Sequence, residues 1–274
     1  MVKTLSGSSS SHQLGIRLLN FSQKLSPLSS QSPSLHENED IISNATLRFA
    51  RTRLSILIAQ DPAAISALFS SIAGHSTPYF GDILINNVSV SHEKEKAVTQ
   101  VFYVSPKMPI HFAWTLDKVS EAFSLYYPHW NHSAYFYWIR NFRMSGSTRY
   151  AELNDEKRQQ ALLAMALSSQ AEVLLIEDLE KIIDRSQREE IYMSLLQRAK
   201  QGSNILISSQ KISFWLDKQI DLYRIKNATI EQINAKDLKQ RLLLKNKKAQ
   251  SPDKYWTPDL SEGTNSGTQT QTML

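Results

Sequence analysis

The sequence predicts an α/β fold built on a mostly parallel sheet, and three observations carry that expectation. Short runs of β-branched and other apolar residues alternate with segments of helical pattern along the chain. Runs such as Leu54–Ala59, broken only by Ser55, and Val173–Ile176 are apolar, as expected of strands buried on both faces. Strand and crossover helix follow one another repeatedly, which implies parallel pairing.

Taken in order, residues 14–21 are a first short strand inside a polar stretch. Leu54–Ala59 is a buried strand, and the Asp61-Pro62 pair then opens a helix reaching about Ala73, with aspartate as N-cap and proline in the first turn. Gly81–Ile85 is a second strand after a turn. Leu116–Tyr126 and Ala134–Phe142 are helical and carry a dense aromatic cluster. Glu156–Leu167 is a long helix, and Val173–Ile176 is a strand ending in Glu177 and Asp178. A helix over Arg185–Lys200 leads through Gly202 into the strand Asn204–Ser208. The expected organisation is a Ser-rich segment over residues 1–40, a body over 41–240 with a helical insert at about 107–165, and a basic then polar, disordered tail over 241–274.

Composition excludes several classes of function. Cysteine is absent from the 274 residues, so disulfides, zinc–cysteine sites and thiol nucleophiles are out. The apolar runs fall far short of the roughly 20 residues a membrane span needs, and no signal peptide is visible. A cytoplasmic protein, peripheral on the inner membrane, is the expectation. No histidines share a metal-ligand spacing with a third ligand nearby, so no metal site is expected. The chain has only eight glycines, and Gly7, Gly263 and Gly267 lie in polar terminal segments. A glycine-rich phosphate cradle is hard to build from the rest. Between Lys236 and Lys254 seven basic residues face two acidic ones, which equals the whole net charge of +5. Such a cluster attracts polyanions without specificity, and no base-reading motif accompanies it, so no specific nucleic acid is expected.

Several stretches, in order and spacing, resemble the ATP-binding subunits of ABC transporters across roughly residues 42–232. Leu68-Phe-Ser-Ser-Ile-Ala-Gly74 resembles the helix after the family's P-loop, and Gly81–Ile85 its GxIxxxG strand. Leu153–Leu167, LNDEKRQQALLAMAL, resembles the signature helix, whose pattern is close to LSGGQxQRxxLAxAL. Glu172–Asp178 resembles the Walker B strand, Ile183-Asp184-Arg185 with Arg188 the D-loop, and Ile205–Gln210 the switch strand. The Tyr126-Tyr127-Pro128-His129-Trp130 run is similar to the bacterial drug- and peptide-export branch. The resemblance implies a P-loop NTPase-like core, a small antiparallel β part and a helical subdomain.

Against that family, the motifs that hold nucleotide are altered. The P-loop, GxxGxGK[ST][ST], falls on Ala59–Ala67, where no glycine remains and Ile65 stands in place of the lysine; Ser66 keeps the magnesium-binding hydroxyl. Asp61 caps the helix start and sets a negative charge where a phosphate would lie. Asn154-Asp155-Glu156 replaces the Ser-Gly-Gly of the signature. Glu177 and Asp178 invert the Walker B pair, Gln210 replaces the switch histidine, Pro106 falls near the Q-loop glutamine, and Asp184 matches the D-loop.

The resemblance therefore implies ATP and magnesium as cofactors, while the altered positions lead to the expectation that neither binds well and that the chain is not an enzyme. A structural or regulatory partner of a membrane export complex follows, bound to an ABC-type permease, an intact ATPase subunit, or both, as homo- or heterodimer. The alternatives are a weakly active ATP-binding subunit of an exporter and a soluble scaffold unrelated to transport. Residues around Met108–Trp114 and Phe123–Trp138 would carry the permease contact, with Tyr127, Trp130, Trp138 and Arg140 as exposed candidates.

Overall fold

A computed structural model describes residues 15–24, 40–49, 51–210 and 212–240. The rest of the expected serine-rich segment over 1–40 and the polar tail, with the basic residues from Arg241 to Lys254, lie outside these residues.

The fold is the expected α/β arrangement, and two sheets share it. Strands β3 (Leu54–Ala59), β6 (Val101–Val104), β7 (Val173–Ile176), β8 (Asn204–Ser208), β9 (Ile220–Lys226) and β10 (Thr229–Ile233) form a six-stranded sheet in the order β10-β9-β3-β8-β7-β6. All its pairings are parallel except β9 with β10. Strands β1 (Ile16–Lys24), β2 (Asp40–Arg48), β4 (Phe80–Ile85) and β5 (Val88–Ser89) form the antiparallel sheet, in the order β2-β1-β4-β5.

The pleat of the parallel strands divides their side chains between two cores. Leu54, Ile56, Leu174, Ile176, Ile205 and Ile207 point into one core, which the helical subdomain covers. Leu57, Val173, Leu175 and Leu206 point into the other, against the antiparallel sheet. Between the two sheets lies α1 (Pro62–Ile72), which buries Ile65, Leu68, Phe69 and Ile72. The fully buried residues Ile16, Leu18, Ile83 and Ile85 reach the same core from β1 and β4. A run of α2 (Lys94–Val98), α3 (Leu116–Tyr126), α4 (His132–Asn141), α5 (Asp155–Ser168), α6 (Leu179–Ile182) and α7 (Arg188–Lys200) completes the fold.

Several boundaries differ from expectation for local reasons. The first strand extends to Lys24, and β4 pairs with it around a bulge at Leu19–Ser22. Gly81 sits at φ +81°, where an added Cβ would lie 2.4 Å from the carbonyl oxygens of Leu19 and Asn20, so only glycine fits. Helix α4 begins at His132 because the Asn131 side chain accepts from the Ala134 amide. Helix α7 begins only at Arg188, because residues 184–187 close a turn in which the Gln187 amide donates to the Asp184 carbonyl. Strands β2, β5, β6, β9 and β10 are additional to the expected elements. Among the described residues, no helix is long and apolar enough to cross a membrane.

Candidate functional site

The start of α1 is built from its own sequence. Asp61 adopts extended backbone and its carboxylate accepts from the Ala63 amide at 2.9 Å, while its carbonyl takes the Ala64 amide at 3.2 Å. Pro62 has no amide proton. The donors that a helix start offers to an anion are thus engaged within the chain. Ile65 is 5% exposed and packs into the core between the sheets. A lysine there would carry an ammonium into an apolar interior.

On the other side of α1, Ser66 faces Glu177. The Glu177 carboxylate accepts from the Tyr103 hydroxyl, and the Ser66 hydroxyl lines the same cavity. Burial pushes the Glu177 carboxyl above its ordinary range, neighbouring Asp178 adds to this, and the two hydroxyls and Lys107 oppose it. Burial, then the charge of Glu177, push the Tyr103 phenol upward, so it stays a donor. Asp178 adopts a left-handed backbone at φ 46°, and its amide donates to the Ser208 hydroxyl at 2.7 Å. Its carboxylate pairs with Lys181 at 2.6 Å. Glu180, one turn on, accepts from Ser209 and from the Trp215 indole.

The start of α5 is likewise self-capped, with the Asn154 side chain accepting from the Lys157 amide at 2.8 Å. Asp155 and Glu156 occupy its first turn, where carboxylates complement the helix dipole, and Asp155 pairs with Arg158 at 3.2 Å.

The structure brings some of the expected positions together and leaves others apart. Pro106, Asp155, Glu156, Glu177 and Asp178 line one cavity of about 470 Å³. Ser66 and Glu177 line a second, of about 380 Å³, with Tyr103, Lys107 and His75. Asp61, Ile65, Asn154, Asp184 and Gln210 line neither, and Asp184 and Gln210 are exposed. A third recess, of about 710 Å³, opens between the end of α1, β6 and α3, walled by His75, Tyr103, Met108, Trp114, Phe123 and Tyr126 among others. Met108 belongs to all three walls.

Two of the expected docking aromatics are corrected. Tyr127 and Trp138 are each 5% exposed. The Tyr127 hydroxyl donates to the Val101 carbonyl, and Trp138 stacks on Phe142. Trp130 is half-buried against Phe123, and Arg140 is exposed. The exposed apolar side chains of this region are Phe112, Leu125, Tyr126, Phe136 and Tyr137, with Leu125 at 86%. Tyr103 and His75 were outside the sequence expectation altogether. Tyr103 stands in an uninterrupted apolar strand and reaches Glu177 only through the tertiary fold.

No family model matches the chain. It is 23% identical over 190 residues, 63% of its length and 68% of the relative's, to the achromobactin transport ATP-binding protein of Dickeya dadantii. Among solved structures, an ATP-binding subunit of an ABC transporter superposes with TM-score 0.69 at 16% identity, covering 84% of this chain and 93% of that one. A dimeric ATP-binding cassette in a post-hydrolysis state with ADP and Pi superposes with TM-score 0.61 at 14% identity, covering 80% and 99%.

The fold is therefore that of an ABC-type ATP-binding cassette. The resemblance to ATP-binding subunits of ABC transporters, drawn from the motifs, holds. One expectation is corrected: the chain was expected not to be an enzyme, yet the proteins it resembles are ATP-binding subunits, one of them caught after hydrolysis.

Magnesium-ATP is the ligand this fold implies, and the chain's own groups can be tested against it. The first turn of α1 does not fit a triphosphate as a P-loop would: its amides are capped by Asp61, and Ile65 points into the core. The cation end keeps one hydroxyl and one carboxylate, Ser66 and Glu177, which line one cavity, and the carboxylate already accepts from Tyr103.

Proposed function

We propose that the chain is a cassette-type subunit of a membrane transport complex. It docks on an ABC-type permease through the recess at α3 and holds magnesium-ATP more weakly than a glycine-rich P-loop does. The observation that carries this reading is the recess of about 710 Å³, which has an apolar wall and an aromatic rim. It lies where the resemblance puts the permease contact, over Met108–Trp114 and the start of the aromatic insert. Exposed Tyr126 and half-buried Trp114 are of the residue types that anchor interfaces. The aromatic run Tyr126–Trp130 supports an export-type complex, and a second cassette is the natural dimer partner.

The degenerate positions bear on nucleotide affinity. Asp61, Ile65, Asn154, Asp155, Glu156 and Gln210 replace groups that would otherwise contact phosphate, either in this chain or across a dimer. The placing of Ser66 and Glu177 on one cavity favours an altered site that still meets nucleotide. Titration calorimetry with magnesium-ATP is expected to show binding weaker than low micromolar, and a low-micromolar constant would sink this part of the reading. Purification of the tagged chain from membranes is expected to bring a multi-span permease with it. Recovery without any membrane protein would overturn the docking.

A further inference from the structure

The whole net charge of the chain, +5, is carried by Lys236–Lys254, so the charges elsewhere balance. The described start of this run is held firmly. Strand β10 ends at Ile233, the Asn234 side chain accepts from the Lys236 amide at 2.9 Å, and residues 235–240 turn helically with Leu238 packed against the core. Lys236 and Lys239 share the wall of an open recess of about 780 Å³ with Arg53 and Lys218. Three of these cations are matched within the chain, Arg53 by Asp221, Lys218 by Glu189 and Lys239 by Asp217. Lys236 is exposed and has no ion pair with a described residue. From its rim the sequence continues with Arg241, Lys245, Lys247, Lys248 and Lys254 against Asp253 alone.

That run is not only basic. Leu242-Leu243-Leu244 stands inside it, and Tyr255-Trp256 directly follows Lys254. Leucines among lysines suit the boundary of a lipid leaflet, where the ammonium groups meet headgroup phosphates and the apolar side chains leave water. Tyrosine and tryptophan favour the same depth. A nucleic-acid backbone would meet the same charges and leave the leucines in water. We propose that this corner, from the recess at Lys236 through Lys254, is a contact for an anionic lipid surface. Because the rest of the chain carries no net charge, such a surface draws the molecule in by this corner and orients it. The contact goes beyond the docking reading: it is made with lipid and needs no second protein.

The test is sedimentation of the full chain with vesicles of phosphatidylcholine, with and without phosphatidylglycerol. Wild type is expected to pellet with the anionic vesicles and to stay in solution with the neutral ones. Each basic side chain near an anionic leaflet contributes about fivefold in affinity. Lys236→Gln combined with Lys245→Gln and Lys248→Gln is therefore expected to weaken binding by about a hundredfold. Leu242→Ser, Leu243→Ser and Leu244→Ser together should weaken it by about tenfold or more. Equal sedimentation with both vesicles, none with either, or wild-type binding by the lysine or the leucine variant overturns the proposal. So does tighter binding to a short DNA duplex than to the anionic vesicles at the same salt. Should a variant lose the wild-type circular dichroism, wild type across a salt series decides in its place, and binding that does not fall with added salt overturns the proposal. The vesicles hold no permease, so failure of the docking reading would leave this result standing.

Discussion

Glu177 is the residue whose protonation the fold perturbs most consequentially, because it stands where two cavities and the sheet's carboxyl edge meet. Its carboxyl is raised above the ordinary value of 4.5, chiefly by burial. A raised carboxyl binds its proton more tightly folded than unfolded. Its contribution is therefore undiminished below the unfolded value and turns into a loss as pH rises from there through the folded value. Glu177→Gln, which cannot ionise and can still accept from Tyr103, should melt higher than wild type above that range. The advantage should shrink as pH falls below it. Thermal melts across a pH series check this, and a difference that does not change with pH would count against it. At this scale, the cap made by Asp61 could be read from the sequence, because a cap is local: carboxylate and amide are two positions apart. The partnership of Tyr103 with Glu177 spans 74 positions and leaves no periodic trace.

The elements read most readily from the sequence were those with strong local punctuation. Helices α1, α3 and α5 start at Asp61, Thr115 and Asn154, each of whose side chains accepts a first-turn amide. Strand β7 is an uninterrupted apolar run, β3 is one but for Ser55, and β8 is one between Asn204 and Ser208. Two of the strands that stayed hidden break those patterns, whereas β6 is an apolar run of only four residues. In β9, Asp221 is buried and offsets its cost by pairing with Arg53 at 3.0 Å, so a charge interrupts the apolar run. In β2, Asn44 adopts φ 46° and the pairing with β1 shifts register, which scrambles the alternation. The glycine at the β1–β4 bulge gives a prediction at this scale. Gly81→Ala would force a Cβ against two backbone carbonyls at positive φ and should cost about 2 kcal/mol. Urea unfolding measures it, and a midpoint equal to wild type would show that the bulge relaxes freely.

Across the whole molecule, the two cores explain which aromatics serve the fold and which face outward. An aromatic-rich insert announces surface and core alike, because the residue type is the same for both. Only the packing of α4 against α5 tells Trp138 from Phe136. Trp138→Ala should cost about 4 kcal/mol of stability, the usual range for emptying a large aromatic from a core. Tyr126→Ala should stay within about 0.5 kcal/mol of wild type and instead weaken permease recovery. Unfolding and membrane copurification run on both variants check the pair, and the reverse pattern would relocate the docking face.

The wall shared by the three recesses has a consequence of its own. Met108 belongs to the recess beside α3, to the one beside α5 and to the one beside α1. A thioether on three rotatable bonds is among the most adaptable partitions a protein can place between chambers. The three spaces are thus compartments with one movable door in common, set among walls that Pro109, Ile110, His75, Tyr103 and Glu177 share pair by pair. A body pressed into one of them against that door redraws the floor plan of the other two.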